Sequence, residues 1–179
     1  MPAIVPPTLT DGTIGLRPPR PGDVPAMVAA CQDPEIPRWT RVPVPYLRED
    51  AGRFLAVAAS EAAAGTGVAL AIAEPGSDRL IGTVGLMEVD AAQGYGEIGY
   101  WIAAPARRRG AATRAVVLLR DWAHAELGLT EIELLPHRDN RPSQRVAERA
   151  GFTDTGATRR AARMPPGRQD GYRVYVWRA

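Results

Sequence analysis

Residues 106–119 read ARRRGAATRAVVLL: three consecutive arginines, a glycine, two alanines and a threonine, running into apolar residues at helical spacing. The start of a helix leaves its first backbone N–H groups without partners and carries roughly half a positive charge, so it attracts anions. Adding more positive charge there is favourable when an anion offsets it. Gly110, Ala111 and Ala112 leave the backbone uncovered. A diphosphate placed against residues 110–113, Thr113 included, would take several N–H bonds while Arg107, Arg108 and Arg109 supply charge and forked donors. The plain alternative is an exposed basic loop ahead of an ordinary helix. The loop itself matches neither GxxxxGK[ST] nor GxGxxG, so it is not a P-loop or a dinucleotide fingerprint.

The charge distribution sharpens the question. All 22 basic residues are arginine; seven of them face twelve acids in residues 1–100, and fifteen face eight in 101–179. A basic second half suits an anionic ligand, and an acidic first half suits a cationic one, although an arginine-rich surface can also be merely solvated. A nucleic-acid-binding domain is the weakest reading of this charge, because the arginines gather at one loop and no nucleic-acid motif appears.

The elements that must position this loop follow from the pattern. A chain of 179 residues, 45% hydrophobic, predicts one domain over 1–179. A short strand near 13–16 precedes helix one in PGDVPAMVAACQ. The stretch DPEIPRWTRVPVPY has four prolines in fourteen residues and reads as an irregular loop carrying Trp39 and Tyr46, either as a lid or as a core plug. A helix over 48–64 ends at Gly65. Strands at 68–74, 80–90 and 94–103 form an antiparallel meander, and the best helix runs over 110–128 to Gly128. A strand at 130–137, a helix at 141–151 and two strands near 152–157 and 171–177 complete the order, a mixed sheet with helices packed on it.

The lone Cys31 permits no internal disulfide, the N-terminus lacks a basic start and apolar run, and Glu61, Gly65 and Gly67 interrupt the alanine-rich stretch. A cytoplasmic setting with no membrane segment is the expectation. Two histidines and one cysteine make a metal site improbable; His124 is placed on a helix face and His137 at a strand end.

Arg107-x-x-Gly110-x-Ala112 resembles the R/Q-x-x-G-x-G/A signature of the GNAT N-acetyltransferase superfamily. GEIGYWI stands ahead of it and DNRPSQRVAERAGF behind it, and LRPPRPGD and the RWT…P loop also look like the RimJ/RimL-like, ribosomal-protein N-acetyltransferase-related branch. The resemblance covers most of the chain, with its strongest motifs at 96–152. It implies a GNAT fold of about six or seven strands, mostly antiparallel and splayed at a bulged central strand, with about four helices. It implies acetyl-CoA as the acyl donor, with the 107–113 loop on its pyrophosphate.

The same resemblance makes Trp101, Ile102 and Ala103 pantetheine contacts, Asn140 a cofactor contact and Ser143 a donor at the cofactor sulfur. Asn140 or Ser143 also fits a plain helix cap beside Pro142. Glu97 stands near the position of a catalytic carboxylate, and alternation puts it on one face with Gly99 and Trp101; it reads as base, as anchor for the substrate ammonium, or as an exposed strand residue. Glu88 and Asp90 are back-ups, and Cys31 is a small buried residue. In the ribosomal enzymes a glutamate lies about nineteen residues beyond the serine, where this chain has Ala162. The acceptor, a small amine or a peptide N-terminus, is placed against Trp39, Tyr46, Glu97 and the 160–171 loop, in a chain that relatives suggest as a possible homodimer. The implied function is acetyl transfer to a primary amine in a ternary complex, the alternative a non-catalytic acyl-CoA-binding or sensing module.

Overall fold

The structure is a computed structural model that describes residues 2–161 and 164–179. The position of Ala162 therefore lies outside the described residues. Among them, eight strands form one sheet in the order β1-β2-β3-β4-β5-β6-β8-β7. The strands are β1 (Leu9–Thr10), β2 (Gly15–Arg17), β3 (Val68–Ala73), β4 (Leu80–Asp90), β5 (Tyr95–Ile102), β6 (Glu131–Leu134), β7 (Thr153–Arg159) and β8 (Tyr172–Arg178). The helices are α1 (Val24–Ala30), α2 (Glu35–Trp39), α3 (Arg48–Ala64), α4 (Ala111–Leu127) and α5 (Arg141–Arg149). All pairings are antiparallel except β5 with β6, which α4 connects.

Strand alternation sorts the core into two layers. Val68, Leu70 and Ile72 of β3 and Ile98 and Ile102 of β5 pack on α4 and α5 through Ala115, Val116, Leu119 and Ala147. Ala71 and Trp101 face the other way, toward Val24 and Met27 of α1, Ile36 of α2 and Ala51 of α3. The helices α3 and α4 stop at Gly65 and Gly128, as expected, and 68–102 forms the expected meander.

Two expectations about elements need correction, and one strand was not expected. The proline-rich stretch is not wholly irregular, because α2 forms inside it. Pro34 is its N-cap and Pro37 lies in its first turn, where backbone N–H groups have no intrahelical acceptor to lose. Strand β1, only two residues long, had no alternation to reveal it. The strand expected over 130–137 stops at Leu134, two residues before Pro136, which has no N–H for a ladder. The register shift beside the central strand lies in β4, between Met87 and Asp90, with Glu88 at φ 51°; β5 itself parts from β6 after Ile98, the last residue paired across.

The entry to α1 is held by a buried ion pair. Nη1 and Nη2 of Arg17 donate to the two Asp23 oxygens at 2.8 Å, the Arg20 amide adds a third bond, and Asp23 is only 4% exposed. Burial alone would raise the Asp23 pKa, but the bonds from Arg17 and the Arg20 amide outweigh it and hold the carboxyl below its ordinary value. A lowered carboxylate pKa contributes stability that is complete above the unfolded value and disappears as pH falls through the folded one. Asp23→Asn should therefore cost about 3 kcal/mol in urea unfolding at pH 7, and the gap from wild type should close as the pH is taken below about 4; an unchanged gap at low pH would contradict this assignment.

Candidate active site

The loop before α4 takes the shape that its residues allow. Gly110 is the N-cap at φ 80° and Arg108 sits at φ 63°, so left-handed residues stand two apart in the loop. No side chain caps this helix start. A side chain at Gly110 would find open space, its nearest neighbour being Arg114 Nε at 3.9 Å, so the need for glycine there comes from φ alone.

The bare amides open onto a groove of about 1180 Å³. Its lining includes Arg107, Arg108, Gly110, Ala111, Ala112 and Thr113 at one end, Trp101, Ile102, Asn140 and Ser143 along the middle, and Glu97, Trp39 and Tyr46 toward the other. Ala103 and Arg109 are outside this lining; the Ala103 amide donates to Ile81 O at 2.8 Å. The side chain of Arg107 turns back into the protein, with Nε donating to Ile102 O at 3.0 Å and Nη2 on Asp33 Oδ2 at 2.6 Å. It braces the loop against the α1–α2 corner. The groove's positive rim comes from Arg108 and from Arg145 and Arg149, one turn apart on α5.

The groove passes from one face of the sheet to the other where β5 and β6 part. Residues 99–102 have no β6 residue opposite, since the parallel pairing ends at Ile98 with Leu134. Ser143 and Tyr100 lie on the α5 side, where Tyr100 Oη donates to Ser143 Oγ at 2.9 Å. The Ser143 amide donates to Asn140 Oδ1 at 3.2 Å, so Asn140 caps α5 while lining the groove. Buried Gln144 pins the preceding loop by donating to the His137 and Arg138 carbonyls at 3.1 and 2.8 Å.

Glu97 lies on the opposite face, half-buried, in register with Met87 on β4 and Glu133 on β6. Two carboxylates on neighbouring strands repel unless one is neutralised. Glu133 is neutralised by Arg159, which bonds both its oxygens, and Tyr95 Oη donates to it at 2.8 Å. Burial, then this carboxylate, push the Tyr95 phenol upward. Glu97 lines the groove together with Glu35 and Asp50; Glu35 is engaged by Arg38 and Trp39, and Asp50 by the Leu47 amide and Arg53. Glu88 and Asp90 are exposed, and Asp90 accepts the amides of Ala92 and Gln93 to hold a turn. Both lie outside the groove's lining.

Tyr46 is 7% exposed and belongs to the core beside α1 and α3, which makes it a plug whose edge reaches the groove. Trp39 is half-buried and stacks on His137 with ring centroids 5.6 Å apart; His137 meets Tyr172 edge-on at 5.3 Å. His137 is thus an aromatic spacer in the wall, bridged in backbone to Tyr172. Cys31 is buried, and burial pushes its thiol up to about 12. Among the described residues no three His, Cys, Asp or Glu side chains gather as a metal site would require.

Tyr100 and Gln144 are residues that the sequence reading did not single out. For Tyr100 the signal was present: it alternates with Ile98 and Ile102 on the core-facing side of β5, where a hydroxyl needs a partner.

This geometry is a strand splayed beside a bare helix start, and residues 13–153 match the acetyltransferase (GNAT) domain family, a class of transferase. The chain belongs to that family. The probable N-acetyltransferase YjcK of Bacillus subtilis is 39% identical over 88 residues, covering 49% of this chain and 49% of the relative. The chain thus spans about half the length of the curated relatives it matches. RimJ of Mycobacterium smegmatis, solved in complex with CoA-disulfide, superposes with a TM-score of 0.87 at 20% identity over 100% of this chain and 90% of that one. An acetyltransferase from Agrobacterium tumefaciens str. C58 gives 0.74 at 28% identity over 97% and 95%.

A Cβ in the left-handed region costs about 1–2 kcal/mol. Gly110→Ala is expected to lower unfolding stability by that order and to weaken ADP binding, followed by calorimetry, by about tenfold; equal ADP affinity in the two proteins would show that the amides at 110–113 do not hold the diphosphate.

Proposed function

We propose that the protein is an acetyl-CoA-dependent N-acetyltransferase that passes the acetyl group directly to a primary amine, a small amine or a peptide N-terminus, with both substrates bound together. The observation that carries this reading is the continuity of one groove from the bare amides at 110–113, through the opening between β5 and β6, to Glu97 on the far face. The residues fit the donor: bare amides and Arg108 suit a diphosphate, and the unpaired edge of 99–102 suits an extended amide-bearing arm. When bound, acetyl-CoA supplies the activated acyl carbon as a thioester.

What remains is done by this chain's side chains. An ammonium does not attack, so the acceptor must lose a proton, and Glu97, the groove carboxylate carried by the splayed strand β5, takes it directly or through a water. Its negative charge also draws a cationic amine to the acidic half of the molecule. On the opposite side Ser143, in the first turn of α5, donates a hydrogen bond to the departing sulfur, where the helix N-terminus also favours negative charge. The separation of the two groups across the opening lets proton removal and leaving-group stabilisation act on opposite sides of one acyl carbon.

The relatives named for ribosomal-protein acetylation support a peptide N-terminus as one acceptor class. The aromatic wall of Trp39, His137 and Tyr172 borders the space that a peptide's first residues would occupy.

Thiol release from acetyl-CoA over a panel of amines and short peptides tests the proposal. Glu97→Gln should lower kcat by about 10²- to 10⁴-fold, and Ser143→Ala by about tenfold. Initial rates against both substrates should give intersecting rather than parallel double-reciprocal lines, since no acyl-enzyme forms. Tight CoA binding with no turnover on any amine would instead identify a sensing module, and unaltered turnover in both variants would remove these two residues from the chemistry.

A further inference from the structure

We propose that Tyr100 is a positioning residue for Ser143: its phenol donates to the serine oxygen and so leaves the serine's own proton to point into the groove, at the sulfur of the acyl donor. The inference rests on the acetyl-transfer reading and extends it to a side chain that the chemistry itself does not touch.

A serine hydroxyl has one proton and rotates freely, so by itself it is a poorly aimed donor. Here the rotation is constrained from several directions. The Ser143 amide is held by Asn140 Oδ1 at 3.2 Å, the helix start is anchored by buried Gln144, and Ser143 Oγ accepts from Tyr100 at 2.9 Å. With that acceptor site filled, the remaining proton is directed away from the phenol. Accepting a hydrogen bond also polarises the hydroxyl and makes it a better donor in turn.

Tyr100 is itself rigid. It sits on β5 opposite Val84, and its ring packs on the core that also holds Ile98 and Ile102. Burial pushes its phenol up to about 12, so it keeps its proton across the physiological range and remains a donor. Its hydroxyl bonds a residue 43 positions along the chain, on the far side of the opening between β5 and β6. The bond therefore also ties α5 to the strand edge that the donor's arm would lie along.

Tyr100→Phe removes one oxygen and keeps the ring. Three readouts together test the role. The first is affinity for CoA and for desulfo-CoA by calorimetry: the variant should lose about three- to tenfold for CoA above the ordinary thiol pKa of about 8.5 and nothing for desulfo-CoA. The second is the thiol pKa of bound CoA, read from thiolate ultraviolet absorbance against pH, which should rise in Tyr100→Phe as the thiolate loses its aimed donor. The third is a double-mutant cycle on kcat, in which Tyr100→Phe combined with Ser143→Ala should be no slower than Ser143→Ala alone.

Equal loss of CoA and desulfo-CoA would make Tyr100 a packing residue, and additive effects on kcat would separate it from Ser143; either overturns the proposal while leaving acetyl transfer intact. Failure of the wild-type protein to bind CoA would overturn the underlying reading instead, and the two failures are distinguishable because the first is seen only in the variants.

Discussion

The structure depends on the parting of β5 from β6. A continuous sheet satisfies every backbone group along its strands, and a strand with one edge open is costly unless something else occupies that edge. Here β6 is four residues long, ends before Pro136, and gives way to a loop pinned by Gln144. β5 continues for four residues beyond Ile98, its last residue paired with β6. That local mismatch in strand length opens a passage through the sheet, and the residues that can do chemistry stand on its two sides: Glu97 on the face of α1–α3, Ser143 and Tyr100 on the face of α4 and α5.

Around the passage the protein arranges its charges so that few work against each other. Glu133, which would crowd Glu97, is taken up by Arg159 and Tyr95. Arg107, the first of three consecutive arginines, is committed to Asp33 and the Ile102 carbonyl, so the loop before α4 is braced rather than simply repelled by its own charge. The uncapped amides at 110–113 then stand beside Arg108, Arg145 and Arg149 along one rim. Among the described residues, the second half of the chain lines this groove with arginines and no carboxylate, which suits an anionic donor, while the first half contributes Glu35, Asp50 and Glu97 together with Arg41 and Arg53.

Much of this was legible in local pattern. The helix start at Gly110, the stops at Gly65 and Gly128, the meander from 68 to 102, and the shared face of Glu97, Gly99 and Trp101 all follow from neighbours a few positions apart. What was not legible came from distance or from position within an element. Prolines in 33–46 looked like breakers, yet Pro34 and Pro37 fall where a helix has no hydrogen bond to lose. The burial of Tyr46, the bracing role of Arg107 and the neutralisation of Glu133 each rest on a partner far along the chain.

The sequence by itself determined which residues are able to bind an anion, take up a proton or donate one, because those capacities belong to side-chain chemistry and to backbone freedom at single positions such as Gly110. Only the tertiary structure decided which of them work together. Tyr100 and Ser143 are 43 residues apart, and Glu133 and Arg159 are 26 apart; their pairing requires β5, β6, β7 and α5 to be assembled in one sheet-and-helix frame. A hydrogen bond is made or lost over a few tenths of an ångström, and spacing along a chain does not specify distances that closely across a fold.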